Sequence, residues 1–243
     1  MEIGLQLYSI KDETKRDMLS SIKRVAEIGY SSVEFAGYGG IDAKTMKKAL
    51  CDYGLRSIGT HISLQRLTEF LDEEIEYNLE IGTKYLILPS AKLDTKDEVL
   101  SVCEALNVAA QRAKKHNLVV GYHNHSKEFA LIDDKYIFDI MIENTSDDVV
   151  FEFDVYWGAA ADVEPVGYIE SRKKIQLIHI KELLDYTSKK NTDVGSGVLD
   201  FPAIISAAKK RGIKDFIVEQ EQTEGDIWDS IKNGIDYLNS LSL

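Results

Sequence analysis

Cysteine is almost absent from the chain: two residues in 243, Cys51 and Cys103. They fall in helix-like stretches far apart in sequence, with neither a disulfide framework nor zinc-ligand spacing, and are read as ordinary buried thiols. Proline is equally scarce, at three residues. No Pro/Gly/Ser-rich linker, low-complexity tract or shift in composition divides the chain, so a single domain over residues 1–243 is expected, a length that α/β barrels commonly reach. Cations are in deficit, 29 Lys and Arg against 41 Asp and Glu, a net charge of −12. That balance repels phosphate backbones, and with no local basic run nucleic acid is excluded as a partner. No apolar run reaches the roughly 18 residues that a membrane span needs. Residues 1–10 also lack a cationic flank followed by a long apolar core, so no membrane association is expected and the location is read as cytoplasmic. Finally, no Gly-x-Gly-x-x-Gly follows the first apolar run, which argues against an open dinucleotide-binding sheet.

What the chain does contain is a short apolar run followed by a longer amphipathic segment, repeated eight times at roughly 30-residue intervals. The runs are read as strands over 3–8, 32–35, 57–61, 85–88, 118–123, 149–154, 175–180 and 216–219. Helices are expected over 15–28, 43–53, 69–81, 136–143, 166–171, 202–211 and 227–241. The fourth, reaching about 115, starts at Thr95, where Glu98 completes a capping-box pattern. Strict alternation implies parallel strands joined by right-handed crossovers, and eight units close a (β/α)8 TIM barrel of the α/β class.

The strand ends carry the functional argument. They offer Gln6 with Tyr8, Glu34, His61, Pro89, His123 with His125, Asp154 with Tyr156 and Trp157, His179 with Lys181, and Glu219 with Gln220. In a barrel these converge on one face, where active sites of this fold lie. Four of the five histidines belong to that set; His116, at a helix end, needs only the helix dipole to explain it. Carboxylates and imidazoles brought together from separate strands suit a divalent ion. Asp and Glu at buried strand tips are otherwise costly.

Tyr122-His-Asn-His125 with Glu128-Phe129, Glu152-Phe-Asp-Val-Tyr-Trp157, His179-Ile-Lys181, Gly195-Ser-Gly-Val-Leu-Asp-Phe201 and Val218-Glu-Gln220 resemble the sugar phosphate isomerase/epimerase family of xylose-isomerase-like barrels. The opening Gly4-Leu-Gln-Leu-Tyr-Ser9 is similar too, so the likeness spans nearly the whole chain. It implies one divalent metal, often manganese, with magnesium, cobalt or zinc as alternatives, held by Glu, Asp, His and Glu. The last three carry over onto Asp154, His179 and Glu219. The first does not carry over cleanly, because the fifth strand ends in histidines; it is assigned to Glu128 in the following loop, with His123 or His125 as replacements. Barrels of the family that the chain resembles often form a homodimer, although no stretch of this sequence locates an interface.

With a divalent ion polarising a carbonyl, a carboxylate can take the proton from the neighbouring carbon to give an enediolate. Glu219 and Glu128 are the catalytic candidates, since two carboxylates on opposite faces could remove and return a proton. Return to the other face epimerises and return to the adjacent carbon isomerises, so the expected partner is a small ketose or keto-sugar. His61, His125, Lys181 and Glu34 are assigned to sugar hydroxyls, and Tyr8 and Trp157 to walls for the ring. Gly195-Ser-Gly197 invites a phosphate-binding reading, but a tight turn before the helix cap Asp200 explains the glycines equally well. A 3-keto-glycoside lyase would use the same metal and enolate, a metallonuclease is disfavoured by the acidic charge, and a non-catalytic sugar-binding barrel is the remaining alternative.

Overall fold

The eight apolar runs form eight strands: β1 (Ile3–Gln6), β2 (Ser32–Phe35), β3 (Arg56–His61), β4 (Tyr85–Leu88), β5 (Val119–His123), β6 (Val149–Asp154), β7 (Ile175–Ile180) and β8 (Asp215–Val218). In the computed structural model, which describes residues 2–241, each strand pairs in parallel with its neighbours. β1 bonds to β2 on one side and to β8 on the other, through Ile3↔Phe216 and Leu5↔Val218, which closes the barrel. Strands covered on both faces read as continuous apolar runs, which is why Tyr85–Leu88 and Val149–Phe151 carry so little polarity. Helices occupy the outside, and no helix among the described residues is long and apolar enough to cross a membrane.

Several local expectations are corrected. β1 stops at Gln6, because the Gln6 side chain accepts the Tyr8 N–H at 2.9 Å and turns residues 7–10 into a 3-10 helix. The first helix is two, Lys11–Arg16 and Met18–Ile28, split where Asp17 leaves helical geometry to cap Ser20. A second break at Phe70 separates Leu64–Glu69 from Leu71–Ile81. An unexpected helix, Val155–Ala160, follows β6 directly, with Asp154 as its N-cap. Cys51 is exposed rather than buried: its helix, Ala43–Tyr53, buries Met46, Ala49 and Leu50, and the next position has rotated about 100° away from that face. Cys103 is buried as expected.

Side chains alternate in and out along a strand, so residues two apart share the barrel interior. Ile58, Tyr85, Ile87, Val150, Leu177 and Ile217 form an apolar plug inside the barrel. One step toward the strand C-termini the interior turns polar: Gln6 follows Gly4, Glu34 follows Ser32, His123 follows Gly121, Glu152 follows Val150 and His179 follows Leu177. One step further lie Tyr8, His125, Asp154, Lys181 and Glu221. A register shift in the β2–β3 pairing brings both Gly59 and His61 inward. At Gly59 an added Cβ would sit 2.6 Å from Glu34 Oε1, so the missing side chain makes room for that carboxylate.

Candidate metal and sugar site

At the polar level, Glu152 Oε2 lies 2.9 Å from His61 Nε2, 3.0 Å from His123 Nδ1 and 3.1 Å from His179 Nε2. Glu34 Oε2 accepts from Gln6 Nε2 at 2.8 Å and lies 2.8 Å from His179 Nε2 and 3.3 Å from His61 Nε2. Two buried carboxylates thus hold three imidazoles by one nitrogen each. Burial alone would discharge His61, but the Glu34 charge and the Glu152 hydrogen bond outweigh it and hold its pKa up at about 10. Glu152 is likewise pushed up by burial and by the Glu34 charge, yet the histidines hold it down at about 2.

The nitrogens left over point one level higher. With Nδ1 of His123 and Nε2 of His179 engaged below, His123 Nε2 and His179 Nδ1 face upward, where Nδ1 meets Glu219 and an ion would take the place of that contact. There His123, Asp154, His179 and Glu219 each offer a ligand atom, all within 4.8 Å of one another and all buried. Glu219 Oε2 lies 2.8 Å from His179 Nδ1. Asp154 uses Oδ1 to accept the Trp157 N–H at 3.0 Å, while Oδ2 is buried with no hydrogen-bond partner. A buried orphan carboxylate oxygen is costly, and burial, opposed only in part by Lys181, raises Asp154 to about 7. Burial holds His123 neutral, whereas at His179 burial is outweighed by Glu152, Glu219 and Glu34, which push the pKa well above its ordinary value, so a cation here would displace a proton from His179. Two imidazole nitrogens and two carboxylates around that orphan oxygen are a donor set that fits one divalent cation. Glu219 is held down at about 2, because Lys181 and the His179 hydrogen bond outweigh its burial.

Glu128 stands apart from this group. Its Oε1 accepts the Tyr122 hydroxyl at 2.6 Å and its Oε2 the His125 N–H at 2.8 Å, so both oxygens serve to pin the loop after β5. Glu128 is not among the four residues whose ligand atoms come together, whereas His123, one of the replacements the sequence offered, is. Glu34, expected at a sugar hydroxyl, instead lies wholly buried beneath the histidines. Lys181, also fully buried, pairs with Glu221 and lies 4.7 Å from the centre of the Trp157 ring. Trp157 packs beside His125, with ring centres 5.5 Å apart. Tyr8, His61 and His125 line the opening above the ligand group, together with His123, Glu219 and Glu221. Glu152 and Glu221 were not anticipated. The signal for both was present: they sit two residues from Asp154 and Glu219, and strand alternation places such pairs on one face.

Residues 22–241 match the family described as xylose isomerase-like TIM barrel. Two crystal structures of a sugar phosphate isomerase/epimerase from Parabacteroides distasonis superpose on 99% of the chain. Their TM-scores are 0.87 and 0.86 at 28% and 29% identity, and the match covers 94% and 98% of those chains. The IOLI protein, in a crystal structure with a bound zinc atom, superposes over the full length of both chains with a TM-score of 0.79 and 13% identity, a likeness of fold alone. No curated protein matches the chain significantly.

Proposed function

The chain belongs to the xylose isomerase-like TIM barrel family, and from that membership and the site we propose a divalent-metal-dependent sugar isomerase or epimerase. The observation that carries the proposal is the orphan Oδ2 of Asp154, buried among His123, His179 and Glu219 at the floor of an opening about 400 Å³ in volume. A mixed nitrogen and oxygen set suits manganese, cobalt or zinc better than magnesium, which favours all-oxygen coordination. Bound there, a divalent ion would polarise a substrate carbonyl and stabilise the negative charge of an enediolate.

The remaining work falls to side chains. Glu219 is ionised at neutral pH and lines the opening, which suits it to take the proton from the carbon beside the carbonyl. Return of the proton by Glu219 to the neighbouring carbon isomerises. Return to the opposite face of the same carbon by a second group of the opening inverts the centre. Glu128, the other carboxylate considered for this step, is committed to Tyr122 and the loop. His61 and Glu221 are placed to bond sugar hydroxyls and Tyr8 to cover a ring face. Lys181, behind Glu221, sets its position and adds positive charge near Asp154 and Glu219.

The test is solvent deuterium incorporation at the carbon beside the carbonyl of ketoses, followed by proton NMR on protein loaded with manganese and on chelated protein. Incorporation that needs the metal supports the reading. Full metal occupancy with no exchange into any ketose, or release of an aglycone from a keto-glycoside in its place, removes it.

A further inference from the structure

In this fold a substrate phosphate is commonly held by amides of the loops after the seventh and eighth strands and by a helix N-terminus beside them. Here seven of those amides are already occupied by the chain's own acceptors. The Glu182 carboxylate, buried just beyond β7, accepts the N–H of Leu183 at 3.0 Å, of Leu199 at 3.1 Å and of Gly195 at 3.3 Å. Gly197 closes over it, so tightly that an added Cβ would sit 2.6 Å from the Glu182 side chain and 2.1 Å from the Leu183 carbonyl oxygen. The two glycines that suggest a phosphate loop thus wrap a resident carboxylate. In the loop after β8, the N–H groups of Glu221 and Gln222 both point to Asn191 Oδ1, at 3.3 Å each. The first amides of the final helix, Ile227–Ser240, are taken by Asp226, which accepts from Trp228 at 2.8 Å and from Asp229 at 3.3 Å.

Charge points the same way. Among the described residues no Lys or Arg lines the opening, which presents the carboxylates of Glu219 and Glu221. Lys181 is buried and paired with Glu221, and Lys11, with its ammonium 4.2 Å from the centre of the Tyr8 ring, is exposed outside the lining. The positive charge of the opening, a metal ion on its ligands and His61, belongs to the carbonyl end of the substrate. A phosphate at the other end would face Glu221 with no Lys or Arg in the lining, and in the cleft beside the last helix Lys190 is outnumbered by Asp193, Glu224, Asp226 and Asp229.

We infer that the substrate is an uncharged sugar without a phosphate group, and that Glu182 and Asp226 fill the places where a sugar phosphate would be gripped. This rests on reading the site as a sugar isomerase or epimerase. It sets the substrate class apart from the sugar phosphates for which the Parabacteroides proteins are named.

The experiment pairs each of several ketoses with its own terminal phosphate ester and measures binding of both to the manganese-loaded protein by tryptophan fluorescence and calorimetry. Within a pair the carbonyl end is common, so the difference reads the phosphate alone. The inference predicts that each ester binds at least about tenfold more weakly than its parent sugar, about 1.4 kcal/mol, or does not bind at all. An ester that binds as tightly as its parent, or more tightly, overturns it. Deuterium exchange in the same samples decides the isomerase reading separately: sugar bound without exchange sinks that reading, and exchange into esters alone sinks only this one.

Discussion

Replacing Glu128 by Gln separates a structural carboxylate from a ligand. The side chain is 3% exposed, and its two oxygens accept the Tyr122 hydroxyl and the His125 N–H. Burial and the Glu128 charge push the Tyr122 pKa well above its ordinary value, so Tyr122 remains a donor in the native state. Glutamine can satisfy one of these donors through its oxygen. Its NH2 then faces the other, which the Tyr122 hydroxyl can accommodate by turning and the His125 N–H cannot. A hydrogen bond to a charged group is worth about 1.5–3 kcal/mol net, so loss of the charge from both bonds should destabilise the protein by about 2–4 kcal/mol. For a domain of this size each kcal/mol moves the midpoint by about 2–4 °C, so thermal unfolding followed by circular dichroism should show Tm falling by roughly 5–15 °C. Manganese affinity, measured by competition with a chelator, should change less than about threefold, or under about 0.7 kcal/mol. A Tm left in place with affinity down a hundredfold would put Glu128 on the metal and refute the assignment of His123.

Three other outcomes follow from the geometry. Gly197→Ala forces a Cβ into the Leu183 carbonyl oxygen and the Glu182 side chain, so unfolding should cost about 1–3 kcal/mol less; an unchanged Tm would mean that the loop opens freely. His61 has its pKa raised from 6.5 to about 10, so its contribution to stability is complete below pH 6.5 and lost as pH rises through about 10. Glu152 has its pKa lowered from 4.5 to about 2, so its contribution is complete above pH 4.5 and lost as pH falls toward 2. Denaturant midpoints of the metal-free protein across that range should form a plateau with both flanks; His179, also raised, supplies part of the alkaline one, and a His61→Gln variant that leaves that flank undiminished would contradict the first assignment. Glu152→Gln removes the acceptor shared by His123 and His179 and should weaken metal binding about 10–100-fold; a wild-type affinity would show that the two imidazoles need no carboxylate to aim them.

The barrel was legible because its signal is repeated. Eight apolar runs, each followed by an amphipathic stretch, leave little freedom in topology, and four strands, among them Val149–Asp154 and Ile175–Ile180, lie where the pattern puts them. Side chains that act locally were harder to read. Asp17 and Asp154 each begin a helix by capping, and an aspartate in a polar stretch or at a strand tip does not announce that choice in advance. Asp154, His179 and Glu219 were legible as a group because each follows an apolar run directly. Glu128 was chosen because the search was for a carboxylate. A hydrogen bond from Tyr122, six residues away, and another from the loop backbone decide its position, and only the folded loop brings those partners together. Cys51 was misread by residue type, whereas the apolar stripe Met46, Ala49, Leu50 already placed it on the outer face.

Metal content of the purified protein, compared among wild type, His123→Ala, Asp154→Ala and Glu128→Ala, tests the account most directly. It predicts one divalent ion per chain in the wild type and in Glu128→Ala after correction for unfolded protein, and loss of that ion in His123→Ala and Asp154→Ala. A wild type that takes up no ion under supplementation, or an ion that survives both substitutions, would contradict a metal centre at these strand tips and the isomerase chemistry built on it.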